Sequence, residues 1–111
     1  MTMQKPLIVA VLLGAMVGGC SMTLPVNGHV EGTGEAFTGE ATGYSDGAGN
    51  LKISSPKTTC TGQFVYTSRR EGKGTFTCAD GRSGPFEFVS TGTRGTGTGD
   101  FAGKRFIFTF G

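Results

Sequence analysis

The sequence predicts an all-β protein, an antiparallel β-meander, and two observations carry that prediction. Glycine makes up 21 of the 111 residues, against a usual share of about 7%, and it is costly inside helices. Phenylalanine and threonine favour strands, and six of the nine phenylalanines lie between residues 86 and 110. The glycines follow no strict third-position period, which excludes a collagen-like chain.

Residues 36–111 are predicted to form this domain, as three to four hairpins in an open twisted sheet or a small barrel. Apolar residues alternate with polar ones along each segment, which is typical of strands with one buried face. The segments 60–67, 73–79 and 104–110 show it most clearly. Shorter alternations occur at Leu51 and Ile53 and at Phe86 and Phe88. We expect these apolar faces to form the core.

Glycine-containing motifs recur through the domain at steps of 23 and 22 residues. Thr38-Gly39-Glu40, Thr61-Gly62-Gln63 and Ser83-Gly84-Pro85 are each followed by a Gly-x-Gly, at residues 47/49, 72/74 and 95/97. Periods of this length are typical of stacked supersecondary units. Each unit is therefore predicted to be one hairpin that buries its apolar face against its neighbours.

The middle unit resembles the MORN repeat. The matching segments are 61–64 (TGQF), 71–76 (EGKGTF) and 79–81 (ADG), and the outer units match in their glycines, so the resemblance covers residues 38–103. The chain departs from the MORN pattern at the leading aromatic, which is present as Phe37 but replaced by Cys60 and Arg82. The resemblance implies an open meander that serves as a scaffold or a membrane-proximal binding module.

Residues 1–19 are predicted to be a signal peptide, because Lys5 precedes an apolar run at residues 7–17. That run is shorter than the roughly 20 residues of a membrane-spanning helix. Val17-Gly18-Gly19-Cys20 resembles the bacterial lipobox, which implies cleavage before Cys20 and lipidation there, with acyl chains such as palmitate. Ser21 in place of an aspartate implies the outer membrane, facing the periplasm. Residues 20–35 are expected to be a lipidated tether, with the lipid bilayer as partner.

Cys60 and Cys78 are predicted to form a disulfide, because exported chains mature where disulfides persist. If Gly62 pairs with Phe76 in neighbouring strands, Cys60 lies opposite Cys78, within reach of a bridge. Closing this loop contributes about 3 kcal/mol through loop entropy. The two cysteines are too far apart in sequence for a typical zinc site, and we expect no metal ligands.

Basic residues are concentrated in the second half of the chain, although the net charge is only +2. Residues 51–111 hold nine Lys and Arg against four acids. Arg69, Arg70 and Lys73 cluster at one hairpin and form a candidate binding tip for an envelope protein or an anionic glycan or lipid. The modest net charge gives no reason to expect a nucleic-acid partner.

No catalytic or cofactor motif is complete. The stretch 92–104 lacks the Walker A spacing, and Gly95 and Gly97 are followed by Asp100 where the dinucleotide motif needs glycine. The carboxylates follow no pattern that places a catalytic pair in a cleft. We therefore expect no enzymatic activity and no cofactor. The leading hypothesis is a lipid-anchored structural or binding module of the envelope, and the alternative is an inhibitor of an envelope-directed hydrolase such as lysozyme.

Overall fold

The computed structural model describes residues 20–111, which fold into eight strands in one sheet. The strands are β1 Ser21–Val30, β2 Ala36–Tyr44, β3 Ala48–Ser54, β4 Thr59–Tyr66, β5 Glu71–Cys78, β6 Ser83–Thr91, β7 Arg94–Phe101 and β8 Lys104–Phe110. The predicted signal peptide lies outside the described residues.

Each strand pairs antiparallel with the next, and β8 returns to pair with β1, so the sheet closes into a barrel. The closing register runs from Val26 opposite Phe110 to Val30 opposite Phe106. The predicted all-β antiparallel meander is confirmed. It is closed rather than open, in contrast to the sheet that the MORN resemblance implied. Closure leaves no strand edge free along the paired segment.

The strand β1 lies within the segment expected to be a tether and is the main departure from the predicted organisation. Leu24, Val26 and Val30 point inward at alternate positions and supply one eighth of the barrel wall. Pro25 and Gly28, which are unfavourable in strand interiors, obscured this alternation in the sequence. Pro25 is tolerated because it precedes the first β1 residue that pairs with β8. The barrel therefore begins directly after Cys20.

Glycine and phenylalanine pair across neighbouring strands inside the barrel, which explains the unusual composition. Direct pairs on the inner face include Gly49 with Phe64, Gly62 with Phe76, Gly72 with Phe88, Gly74 with Phe86, Gly95 with Phe110 and Gly97 with Phe108. An eight-stranded barrel has room for only a limited set of side chains. In most of these pairs the ring extends over its partner, where the glycine has no Cβ to obstruct it.

The predicted repeat reflects this inner packing. In the second and third units both glycines of the Gly-x-Gly face inward, at 72/74 and 95/97, because strand residues two apart share a face. In the first unit only Gly49 faces inward, whereas Gly47 lies in the turn between β2 and β3 with a φ of 87°. The Gly-x-Gly spacing therefore marks the positions where phenylalanine rings of neighbouring strands occupy the space of a Cβ.

The predicted disulfide is confirmed. Cys60 on β4 lies opposite Cys78 on β5, and Gly62 lies opposite Phe76, as the sequence predicts. The two cysteines are bonded, with their Cα atoms 3.9 Å apart. Both are buried among the core side chains, near the end of the barrel that lies away from Cys20.

Candidate binding site at the open end of the barrel

The two ends of the barrel differ, and the end far from Cys20 is filled. Phe37, Phe76, Phe101 and Phe106 form a cluster there, with ring centroids 4.9 to 6.0 Å apart. Each of these rings is at most 2% exposed. Aromatic pairs at such distances add to the stabilisation that burial alone provides. We call this the closed end.

An ion pair covers the closed end. Glu35, between β1 and β2, accepts two hydrogen bonds of 2.8 Å from the guanidinium of Arg82, between β5 and β6. Ser55 donates a third hydrogen bond to the same carboxylate, at 2.7 Å. Arg82 also bonds Asp80 and stacks 4.5 Å from the ring centroid of Phe101. The ion pair thus links three of the loops at this end of the barrel.

These contacts fix the charge states at the closed end. Hydrogen bonding to Arg82 lowers the pKa of Glu35 from its ordinary value of 4.5 to about 2, with Ser55 contributing and burial opposing. The same carboxylates raise the pKa of Arg82, with Glu35 contributing most. The side chain of Glu35 is only 6% exposed. A buried carboxylate is retained as an anion here because its partners surround it.

The opposite end contains an apolar cavity of about 400 Å³, within the usual range of roughly 300 to 1,000 Å³ for small-molecule sites. We call this the open end. Apolar and aromatic residues dominate its wall, and none of the lining residues within the described segment 20–111 is charged. The lining residues are Cys20, Ser21, Met22, Leu24, Val26, Ala41, Gly43, Tyr44, Ser45, Leu51, Phe64, Tyr66, Phe86, Phe88, Gly92, Phe108 and Phe110.

The tyrosine hydroxyls at this wall already have hydrogen-bond partners. Tyr66 shares a hydrogen bond of 2.8 Å with the hydroxyl of Ser90. The side-chain amide of Asn50 donates to the hydroxyl of Tyr44 at 3.3 Å. Among the described residues, no buried side-chain nitrogen or oxygen lacks a partner. The cavity therefore offers mainly dispersion and apolar contact to an occupant.

The large exposed apolar side chains of residues 20–111 surround the open end. They are Met22, Tyr44, Val65, Tyr66 and Val89, each between 39% and 54% exposed. Met22 lies near the start of β1, and the other four lie in the last three residues of β2, β4 and β6. We call this set the apolar collar. Clustered exposed apolar residues mark surfaces that contact a partner or a membrane.

Cys20 lies at the rim of the same cavity. It is exposed, is not disulfide-bonded, and directly precedes β1. The first five residues of β1 pair with β2 and extend beyond the segment of β1 that pairs with β8. The predicted lipidation residue, the apolar collar and the cavity therefore share one end of the barrel.

The predicted binding tip also lies at the open end, with Arg69 and Arg70 between β4 and β5 and Lys73 near the start of β5, but its members differ. Arg70 donates hydrogen bonds of 3.2 Å to the carbonyl oxygen of Ser90 and the hydroxyl of Thr91, so it joins this loop to β6. Arg69 and Lys73 are exposed. The structure thus gives Arg70 a structural contact and leaves two basic side chains at the surface.

The sequence gives no direct indication of Met22, Tyr44 or the cavity, although the alternation in segment 60–67 puts Phe64 and Tyr66 on one face of their strand. The available signal was positional, because large apolar residues end several strands on the same side of an up-and-down meander. Within residues 20–111, no group of acidic, His or Cys side chains is arranged to hold a metal ion. No helix of that segment has the length and apolar character needed to cross a membrane.

Comparison with known proteins supports the architecture. No family model matches the chain, and no curated protein is significantly similar in sequence. Among solved structures, the chain is similar to a redesigned β-barrel, mFAP1, bound to DFHBI, with a TM-score of 0.65 and 14% identity. The match covers 79% of this chain and 90% of the other. At this identity, the likeness establishes that the chain has a small β-barrel fold.

Proposed function

We propose that this protein is a lipid-anchored, non-enzymatic binding module of the bacterial envelope, held by acyl groups on Cys20 with the open end of its barrel toward the bilayer. The observation that carries the proposal is that Cys20 lies at the rim of the apolar cavity. An anchor at that position holds the cavity within a few residues of the membrane. The lipobox resemblance and Ser21 favour the outer membrane.

The apolar collar supports the same orientation. Tyr44 and Tyr66 each present a ring and a hydroxyl, a combination that suits the boundary between water and lipid. Met22, Val65 and Val89 expose apolar surface that contact with a bilayer would cover. Arg69 beside them suits the phosphates of anionic lipids. An anchor at the closed end would leave all of these groups in water.

The inhibitor hypothesis fits this geometry less well. It requires Arg69, Arg70 and Lys73 to reach the active site of a hydrolase, but the tip lies at the end of the barrel that carries Cys20. Arg70 is also engaged with β6. Binding at the cavity is therefore the function that we favour, with an envelope protein as a further partner class.

Lipid labelling of the full chain tests the anchor. Cells that express the wild-type chain or Cys20→Ser are fed an alkyne analogue of palmitate, and the purified proteins are coupled to a fluorophore. We expect the label on the wild-type protein and its complete loss in Cys20→Ser. A Cys60→Ala/Cys78→Ala variant serves as the control and should keep the label. An unlabelled wild-type protein, or a labelled Cys20→Ser, would contradict the proposal.

A further inference from the structure

We propose that the cavity at the open end binds one linear acyl chain. The cavity of about 400 Å³ runs from the rim at Cys20 inward to Leu51, Phe86 and Phe108. Beyond these residues the buried rings of the closed end fill the barrel, so the cavity is reached from the open end. That shape suits a ligand that enters end-on, with its polar group left at the rim.

The chemistry of the wall selects for hydrocarbon. Among residues 20–111, those that line the cavity carry no charge, and the hydroxyls of Tyr44 and Tyr66 each have a partner in the protein. A ligand with polar groups along its length would lose most of its bonds to water against this mainly apolar wall, which is costly. An acyl chain has no such groups to desolvate and is bound by apolar burial alone.

Two sources supply this ligand. One is an acyl chain attached to Cys20 itself, which would fold back across the rim. The other is an acyl chain of a lipid in the adjacent membrane. Both sources depend on the proposed function, because each requires the protein to be anchored at a membrane. The affinity of the cavity for an acyl chain does not depend on it.

Gly43 provides a way to fill the cavity without damaging the barrel. It lines the cavity, and a Cβ added there meets no atom within 4 Å. A Gly43→Leu substitution therefore places a branched side chain in the cavity itself. Thr61→Leu is the matched control, because Thr61 is exposed on β4 and does not line the cavity.

The intrinsic fluorescence of the chain reports on this site alone. The chain has two tyrosines and no tryptophan, and both tyrosines line the cavity. The probe is dansyl-undecanoic acid, titrated against the purified full chain carrying Cys20→Ser. We expect saturable binding of one dye per chain, with energy transfer from tyrosine to the dansyl group. In the same background, Gly43→Leu should weaken binding by about tenfold or more, and Thr61→Leu should leave it unchanged.

Lipidated wild-type protein, extracted from membranes, distinguishes the two sources. Dye binding that is blocked in this protein but present in Cys20→Ser identifies the attached chain as the occupant. Equal binding in both proteins excludes the attached chain and leaves a membrane lipid as the source, and either result supports the proposal. Absence of saturable binding in Cys20→Ser, or binding that Gly43→Leu leaves intact, would overturn it. Failed palmitate labelling would contradict the lipid anchor at Cys20. It would not affect the dye titration, which tests acyl-chain binding by the cavity alone.

Discussion

Gly97→Ala should lower the free energy of unfolding by about 2 to 3 kcal/mol, because it adds a methyl group where the barrel has no space. A Cβ at this position would overlap the ring of Phe108 and lie 2.6 Å from the carbonyl oxygen of Glu87. The first contact is a packed ring and the second is backbone, so neither moves freely. Urea unfolding followed by circular dichroism measures the change, and we expect the Tm to fall by roughly 10 to 20 °C.

Gly43→Ala is the matched control. Gly43 also faces the barrel interior, but it lies at the open end with no atom within 4 Å of the added Cβ. We expect a change within about 0.5 kcal/mol, or a gain of about 0.4 to 1 kcal/mol because alanine restricts the unfolded chain. Equal losses at Gly97 and Gly43 would contradict the Gly–Phe packing and indicate a general intolerance of the strands to alanine.

A double-mutant cycle tests the pair itself. Phe108→Leu replaces the ring that covers Gly97 with a smaller side chain, and this large-to-small change should itself cost about 1 to 2 kcal/mol. The double variant with Gly97→Ala should lose about 1 kcal/mol less than the sum of the two single-variant losses, as expected of residues in contact. Strict additivity would show that Phe108 does not need the glycine beneath it.

Removing the partner of Glu35 should produce an effect of similar size. Arg82→Leu leaves a carboxylate with 6% of its side chain exposed and without its two strongest hydrogen bonds. Loss of one member of a buried ion pair costs about 3 to 5 kcal/mol where the remaining charge stays buried. Since Ser55 still donates to this carboxylate, we expect a loss of about 3 kcal/mol, measured by urea unfolding at pH 7.

The same ion pair should make stability depend on pH. The pKa of Glu35 falls from its ordinary 4.5 to about 2 in the folded protein, so the unfolded chain takes up the proton first. The stabilisation is therefore complete above pH 4.5 and is lost as the pH falls toward 2. The shift corresponds to a loss on the order of 2 to 3 kcal/mol across that window. Asp80, whose pKa Arg82 also lowers, changes stability in the same direction.

Glu35→Gln isolates this contribution. The variant keeps the shape of the side chain and removes its titration, so its stability should fall less between pH 4.5 and pH 2 than that of the wild-type protein. The two proteins should differ most at neutral pH and converge near pH 2. Parallel pH profiles would contradict the role of Glu35 at the closed end.

The inner face of the barrel could largely be predicted from the sequence because it depends on period-two alternation. Alternation puts Cys60 and Cys78 on the inner faces of their strands, and the register assumed for the predicted disulfide, with Gly62 opposite Phe76, is the one observed. Closure could not be predicted, because it depends on a long-range pairing of β1 with β8. Pro25 and Gly28 also make the β1 segment unlike a strand, which is why its sequence predicts a tether instead.

The candidate site could be predicted only in part. Cys20 and the aromatic character of the inner face are visible in the sequence, but their placement at one end is a property of the closed barrel. Tyr44 and Met22 belong to hairpins that are distant from Tyr66 in sequence, and only the complete barrel brings them together. Arg82 stands in the sequence only as a departure from the repeat pattern. Its contact with Glu35 could not be predicted, because Glu35 lies between β1 and β2 and β1 is not predicted as a strand.

The position of the two tyrosines relative to the bilayer is the most direct test of the proposed orientation. The lipidated full chain is placed in vesicles that contain spin-labelled phospholipid, and tyrosine emission is recorded. We expect strong quenching of Tyr44 and Tyr66, which lie at the open end. In a Tyr44→Phe/Tyr66→Phe background, a tyrosine introduced by Lys57→Tyr in the exposed loop of the closed end should remain unquenched. Quenching at residue 57 with none at residues 44 and 66 would contradict an open end that faces the membrane.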